Sequence, residues 1–583
     1  MRLRQILGAL SCAIVISACS VDTQQEWPLF GGNEMHQRHS PLTQIKPGNV
    51  SELEAAWEFH SGIEATFQAT PIVKNGVMFV SLPFNDVVAL DAASGERLWR
   101  YQHDWDETRK MCCGPANRGV AVAQGRVFMG TVDGRLIALD AQTGSKLWDQ
   151  DVTKGKSGIR EDISILEGDT EGEVSGTSGA GLNMAPMVYK GKVIIGITGV
   201  GYGLHLDSPD PNAPLGAVVG IAGKYGRRGF LAAYDVETGE QEWQFDTIPE
   251  QGWEGDFVET TPDGEKLPRD IEAEKAAADE YADAWRYGGG SAWSTPAIDH
   301  ETDTLYFGTG NPSPQMEGSS RPGDNLYTSS LVALDATTGE LKWYFQQVPH
   351  DMWGYDVASP PVLFDVKREG QSIPAVGQAG KTGWFYVLNR RTGELLFKSD
   401  AYVPQQNMFQ SPSKEGTVIY PGVLGGSNWS PVSLDPERRL VFIAGIHWPV
   451  TYSLHQLEGK NGEPGVQYSS MSPVNTGERY GLLSAINIDT GELVWQHKTP
   501  DPLLGGVLST ASGLVFSGEG SGELFALDAE SGKKLWSAPT EAGVNAPPIT
   551  YQVDGKQYVA VVAGGNKLFG FKGGDALRVW ALP

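Results

Sequence analysis

The segment Ala89–Trp99, ALDAASGERLW, returns along the chain and constrains its fold more than any other feature. It recurs as ALDAQTGSKLW at Ala138–Trp148, AYDVETGEQEW at Ala233–Trp243, ALDATTGELKW at Ala333–Trp343, AINIDTGELVW at Ala485–Trp495 and ALDAESGKKLW at Ala526–Trp536. A degenerate copy, VLNRRTGELLF, fills Val387–Phe397. Composition alone would produce Asp-x3-Gly-x3-Trp roughly a tenth of a time in such a chain. Five full matches and a sixth with Asn487 are therefore true repetition.

The chemistry of the unit follows from its residues. An apolar strand delivers Asp, whose carboxylate bonds backbone N–H groups of a turn; Gly supplies the positive φ, and the chain reverses into a strand ending in Trp. Isolated hairpins are marginal, so the units need neighbours. In a ring of sheets each indole plugs the gap to the next sheet and its N–H finds a carbonyl. Motif starts lie about 50 residues apart or twice that, the period of a four-stranded propeller blade. Within one doubled step, APMVYK, KVIIGITG and RGFLAAYD are the strand-like runs among Gly- and Asp-rich filler. Seven copies plus a closing blade, built from YVAVVAGGNKLFGF and a strand near Trp57, predict an all-β, eight-bladed β-propeller with tryptophan-docking repeats. It would span 41–583, with insertions near 151–181, 200–228 and 245–290.

The first residues read as a leader. Arg2 and Arg4 precede an apolar run, Ile6 to Ala18, too short to cross a bilayer as a mature helix. Its end, ISAC-S, resembles the lipobox of bacterial lipoproteins, which implies a signal peptide over 1–18, lipidation of Cys19 and a tether over 19–40. Ser20 after the cysteine implies release to the periplasmic side of the outer membrane, through an N-terminal lipid anchor. Beyond Cys19 an exported chain has only Cys112 and Cys113 to pair, and adjacent cysteines close only a strained eight-membered ring. The alternative is two free buried thiols. Cys113 runs into GPAN, so no C-x-x-C-H haem site begins there.

CCGPANRGVAV at Cys112–Val122 resembles the hallmark of the quinoprotein alcohol dehydrogenases, the methanol and ethanol dehydrogenase family, and the tryptophan repeat is similar to theirs over nearly the whole mature chain. The resemblance implies a Cys112–Cys113 vicinal disulfide on one face of pyrroloquinoline quinone (PQQ) and Arg118 paired with that cofactor. GGGSAW at Gly288–Trp293 resembles the segment that would make Trp293 the indole stacked under the quinone and Ser291 a polar contact. GTGNPSP at Gly308–Pro314 would supply Asn311 to a calcium or lanthanide ion, and GGSNWSP at Gly425–Pro431 would bring Asn428 and Trp429 to the cofactor. Lys381 and Gln68 stand where the membrane glucose dehydrogenase branch carries lysine and glutamine, so the chain mixes two branches. Such residues suit a planar tricarboxylate, which needs cations for its acid groups and flat surfaces for its faces.

Two departures concern the chemistry. The family's metal-binding glutamate has no counterpart in ITGVGYG, with Gly201, or in IAGKYGRRG, with Lys224. The usual catalytic aspartate of an HD-x-W-D-Y-D segment is Gly354 in HDMWGYD, with Asp356 two residues later. Three replacements are open: Asp356 as base, metal ligand or both; the Lys224 ammonium as a fixed charge in place of the metal; or Asp207 and Asp210 of an inserted loop. A fourth outcome is a retired site.

The formal net charge of −26 and pI near 4.8 argue against nucleic acid. No P-loop, nucleotide fingerprint or zinc spacing occurs. Reduced PQQ would need a separate cytochrome c or quinone to take its electrons. The expected function is a PQQ-dependent dehydrogenase oxidising an alcohol or sugar hydroxyl; the alternative is a non-catalytic propeller lipoprotein acting as an outer-membrane assembly scaffold.

Overall fold

A computed structural model describes residues 25–105, 114–115, 117–153, 174–175, 181–200, 205–206, 220–224, 226–457, 466–473 and 479–583. Among the described residues eight sheets follow one another along the chain, seven of them four-stranded and antiparallel; in the other, His39–Ser40 adds a parallel fifth strand beside Leu508–Thr510. The first runs Ile72–Lys74, Val77–Ser81, Val87–Asp91, Arg97–Tyr101, its early strands buried and its last half exposed, so each sheet is threaded from the channel outward. The closing sheet orders Glu54–His60, Ala576–Ala581, Lys556–Ala563 and Ile549–Val553, so the N-terminal strand seals the ring. Here the sequence reading needs a correction: Lys567–Phe569 is a short 3-10 turn, and ALRVWA supplies the strand assigned to NKLFGF. Gly565, at a φ of 71°, and Gly570, at 66°, turn the chain there.

The repeat's chemistry is visible in each turn. Asp91 Oδ1 accepts the N–H groups of Ala93 at 3.1 Å and Ser94 at 2.8 Å. Trp99, Trp148, Trp343 and Trp495 each donate Nε1–H to the carbonyl just after the motif Asp or Asn of the next sheet, at 3.0–3.2 Å. Trp243 Nε1 is buried without such a partner, a difference from the expected pattern. Trp536 meets Trp580 of the closing sheet edge-on at 6.0 Å. The motif glycine does two jobs: Gly144 has a φ of 72°, and a Cβ there would lie 2.6 Å from the Trp99 ring of the preceding blade. In the degenerate copy, Phe397 takes the indole's place against Gly491.

Residues 25–40 run across one end of the channel. Trp27 pairs with Val73, and the carbonyls of Glu34, Met35 and Gln37 accept from Ile298, Leu363 and Leu434, all on innermost strands. Arg38, fully buried, donates from Nε to Val507 O at 3.0 Å and from Nη2 to Pro548 O at 2.7 Å. The insertions contribute a helix, Ile271–Ala277, N-capped by Asp270, and a four-stranded flap in the order Gly220–Ile221, Val466–Pro473, Val450–Leu457, Thr417–Ile419. Most of that flap was not legible as an element in the sequence.

Candidate active site

The chain enters several innermost strands through a residue placed three before a proline: Gln68 before Pro71, Asn183 before Pro186, Trp293 before Pro296, Asn428 before Pro431 and Asn545 before Pro548. The proline fixes an extended entry and leaves the preceding turn to present side chains at the strand's start, the end away from residues 25–40. This spacing is a signal that motif matching overlooked; it adds Asn183 and Asn545. Asn545 is fully buried, with neither Oδ1 nor Nδ2 hydrogen-bonded.

Trp293 is the floor of the arrangement. The Arg118 guanidinium lies 5.2 Å from its ring centroid and 5.7 Å from that of Trp429, and Lys381 Nζ lies 5.8 Å from the Trp293 centroid. Arg118 is oriented by Asn183, whose Oδ1 accepts from Nη1 at 2.8 Å. Two cations over one indole is a cation–π stack, and in a buried place it favours an anionic third party.

Beside the stack, Lys381 Nζ donates to Asp356 Oδ2 at 2.8 Å and to the Gly354 carbonyl at 2.9 Å. The other carboxylate oxygen, Oδ1, accepts the Asn311 backbone N–H. Asn311 is tied to the Trp293 turn, its carbonyl accepting from Gly290 at 3.0 Å, while Gly310 donates to Ser291 O at 2.7 Å. Arg118, Ser291, Trp293, Asn311, Asp356, Lys381 and Trp429 are thus brought together. Gln68 is buried in the neighbouring entry, where Thr70 donates to the Arg118 carbonyl at 2.9 Å. Cys19, Cys112, Cys113, Gly201, Asp207 and Asp210 lie outside the described residues. Lys224 is engaged elsewhere: its ammonium pairs with Asp283 of the insertion and sits 5.8 Å from the Tyr281 ring centroid. That leaves little support for it as a fixed charge at Asn311.

Asp351, fully buried in the same HDMWGYD segment, accepts from Trp353 N at 2.9 Å and Tyr355 N at 2.8 Å, which shapes the turn presenting Asp356. Burial pushes its carboxyl up to about 6. Arg321 staples the segment after Asn311, donating to the Pro314 and Asp351 carbonyls at 2.9 and 2.6 Å.

A planar, aromatic polyacid fits these residues. Trp293 offers a face and Arg118 and Lys381 offer charge, and the buried Nε1–H groups of Trp293 and Trp429 and the Asn428 Oδ1 have no hydrogen-bond partner among the described residues. The fit to a hard dication is poorer. Among the described residues no group of three or more His, Cys, Asp or Glu side chains could hold one. Asp356, the carboxylate that meets Asn311, is already ion-paired with Lys381, whereas Ca2+ takes 6–8 oxygens.

The family model "PQQ: Glucose/ethanol/alcohol dehydrogenase, beta-propeller domain" matches residues 27–408 and 398–559. The quinohemoprotein alcohol dehydrogenase of Comamonas testosteroni is 33% identical over 577 residues, covering 94% of this chain and 73% of that protein. Its crystal structure superposes with a TM-score of 0.76, covering 96% of this chain and 80% of that one. A 1-butanol dehydrogenase (cytochrome c) of Thauera butanivorans is 31% identical over 605 residues, covering 97% of this chain and 78% of that protein. With the propeller and the cation-capped indole in place, these matches show that the chain belongs to the PQQ-dependent quinoprotein alcohol dehydrogenase family.

Proposed function

We propose that this chain is a periplasmic, lipid-anchored dehydrogenase that oxidises an alcohol and passes the electrons to a separate cytochrome c or quinone. The carrying observation is the juxtaposition of Arg118 and Lys381 over Trp293 with Asp356 alongside. PQQ, when bound, supplies the acceptor for the two electrons and two protons that an alcohol gives up on becoming an aldehyde. Trp293, Arg118, Asn428 and Trp429 would hold it, with the Cys112–Cys113 pair on its other face as the family resemblance implies. Asp356 is the carboxylate placed to take the hydroxyl proton. Lys381 is its positioning residue: its ammonium donates to Oδ2 and fixes the carboxylate's orientation. Alcohol is preferred over a sugar hydroxyl because the relatives named above are alcohol dehydrogenases, and the cytochrome c in one of those names favours that acceptor. The lipid anchor and periplasmic site rest on the leader, Met1–Cys19. Family membership leaves the scaffold reading without an observation of its own.

The test is titration of the purified protein with PQQ, with and without calcium or a lanthanide, reading quinone absorbance and then dye reduction with short alcohols and aldoses. Tight binding with turnover on alcohols is expected. No binding under any metal condition would overturn the reading, and binding without turnover on either panel would point to a retired site.

A further inference from the structure

The insertions enclose a second space. Between the helix Ile271–Ala277, the turn that follows Asn311 and the flap lies a cavity of about 470 Å3. Met316, Met352 and Leu454 give it apolar walls, and Glu317, His350 and Ser469 give it polar ones. Glu317 is 4% exposed; its Oε1 accepts from Ser319 N at 3.0 Å, while Oε2 is buried with no hydrogen-bond partner among the described residues. Ser469 Oγ, contributed by the flap, is likewise buried and unpartnered. Two residues that line one cavity, one from the turn after Asn311 and one from the flap, thus each carry an unsatisfied polar atom, a cost that a bound ligand would remove.

The charges lining the cavity select the ligand. Arg269 is the one cation among the described wall residues, and Glu274 and Asp324 both pair with it. Asp270 caps the helix, and the Arg321 charge acts on Glu317 through space. Arg321 stands behind Glu317, with its hydrogens directed to backbone carbonyls and Asn325. His350 adds an acceptor. Its Nδ1 lies 2.7 Å from the Gly323 carbonyl and so carries the proton, and Nε2 faces Gly318, another wall residue. The cavity wall therefore holds acidic and acceptor groups, with Arg269 already paired. Met316 leads directly to Gln315, which packs on Gly354, two residues before Asp356.

We propose that this cavity binds the non-reacting end of an alcohol that carries a protonated amine, the ammonium donating to Glu317 and Ser469 and the methylenes lying along Met316 and Met352. As an assignment of substrate class, this rests on the dehydrogenase reading above; the binding itself does not. Calorimetry on the purified protein before any cofactor is added tests it, with 5-amino-1-pentanol, 1-hexanol and 1,5-pentanediol as probes. The amino alcohol is expected to bind about tenfold or more tightly than either neutral probe, a charged hydrogen bond being the difference. Glu317→Gln should remove that advantage and leave the neutral probes within about twofold. Equal binding of all three probes, or an unchanged Glu317→Gln protein, would overturn the proposal. Should Glu317→Gln fail to fold, Leu454→Phe narrows the cavity from the flap, and full amine affinity in that variant would overturn it equally. Amine binding without PQQ uptake would leave the site standing while the dehydrogenase reading falls; PQQ-dependent oxidation of plain alcohols without amine binding would do the reverse.

Discussion

The Gln315 carboxamide fills the space that a side chain at Gly354 would need: a Cβ at 354 would lie 2.6 Å from Gln315 Nε2 and 2.7 Å from Val423 Cγ2. Position 354 also has a φ of 75°, which L side chains rarely adopt. An aspartate restored there would meet both obstacles. Gly354→Asp is expected to cost about 2–4 kcal/mol, from left-handed strain and overpacking together. Gln315→Ala in the same chain should recover about half of it, since the strain remains. Urea unfolding of the parent and the two variants measures this, and a Gly354→Asp protein as stable as the parent would refute the exclusion.

The Lys381–Asp356 pair gives the next prediction. Both side chains are about 95% buried. Removing one leaves the other charge uncompensated, so Lys381→Met should destabilise by about 3–5 kcal/mol. Lys381→Met combined with Asp356→Asn should cost clearly less than the sum of the single changes. Denaturant midpoints across the double-mutant cycle decide it; strict additivity would mean that the two groups do not act as a pair.

What the sequence made legible divides along physical lines. The repeat was readable because its chemistry is local: an Asp or Asn bonding the turn beside it, a glycine at positive φ, and a Trp at fixed spacing. The residues that the structure brings together were nameable where a motif sits on one turn, as with Trp293 and Trp429. What was not readable depends on residues that are distant in sequence meeting in space. Asn183 orients Arg118 from 65 positions away, Lys381 reaches Asp356 from the turn between Gln371–Ala379 and Phe385–Asn389, and Gln315 closes the space at Gly354. The rescue through Lys224 looked plausible because linear position says nothing of Asp283, 59 residues on, which holds that ammonium.

Two glycines of one sheet separate the roles of positive φ and close approach. Gly125 and Gly144 have φ of 71° and 72°, but a Cβ at 125 meets nothing within 4 Å, whereas one at 144 meets the Trp99 ring. Gly125→Ala should cost about 1 kcal/mol, the strain alone. Gly144→Ala should cost about 2–4 kcal/mol, because the indole that bonds Ala141 O must move. Chemical denaturation compares them, and equal costs would show that the glycine serves the turn only.

The last prediction concerns acid. His36, in the segment across the channel end, is fully buried 5.8 Å from the Phe30 ring, and neither ring nitrogen is hydrogen-bonded. Burial, with Arg38 adding to it, lowers its pKa to about 3, and burial with Arg321 does the same to His350. The unfolded chain therefore binds these protons near pH 6.5 while the folded chain refuses them until near pH 3. Stability from both groups is complete above pH 6.5 and is lost as the pH falls toward 3. Asp351 works the other way between about pH 4 and 6, because its raised pKa makes the folded state the better proton binder there. Two histidines outweigh one aspartate, so the unfolding free energy should fall on acidification. His36→Leu should reduce that loss by about 2–3 kcal/mol between pH 6.5 and 4.5. Urea unfolding at a series of pH values measures the slope; an identical slope in parent and variant would show that His36 takes up its proton in the folded protein.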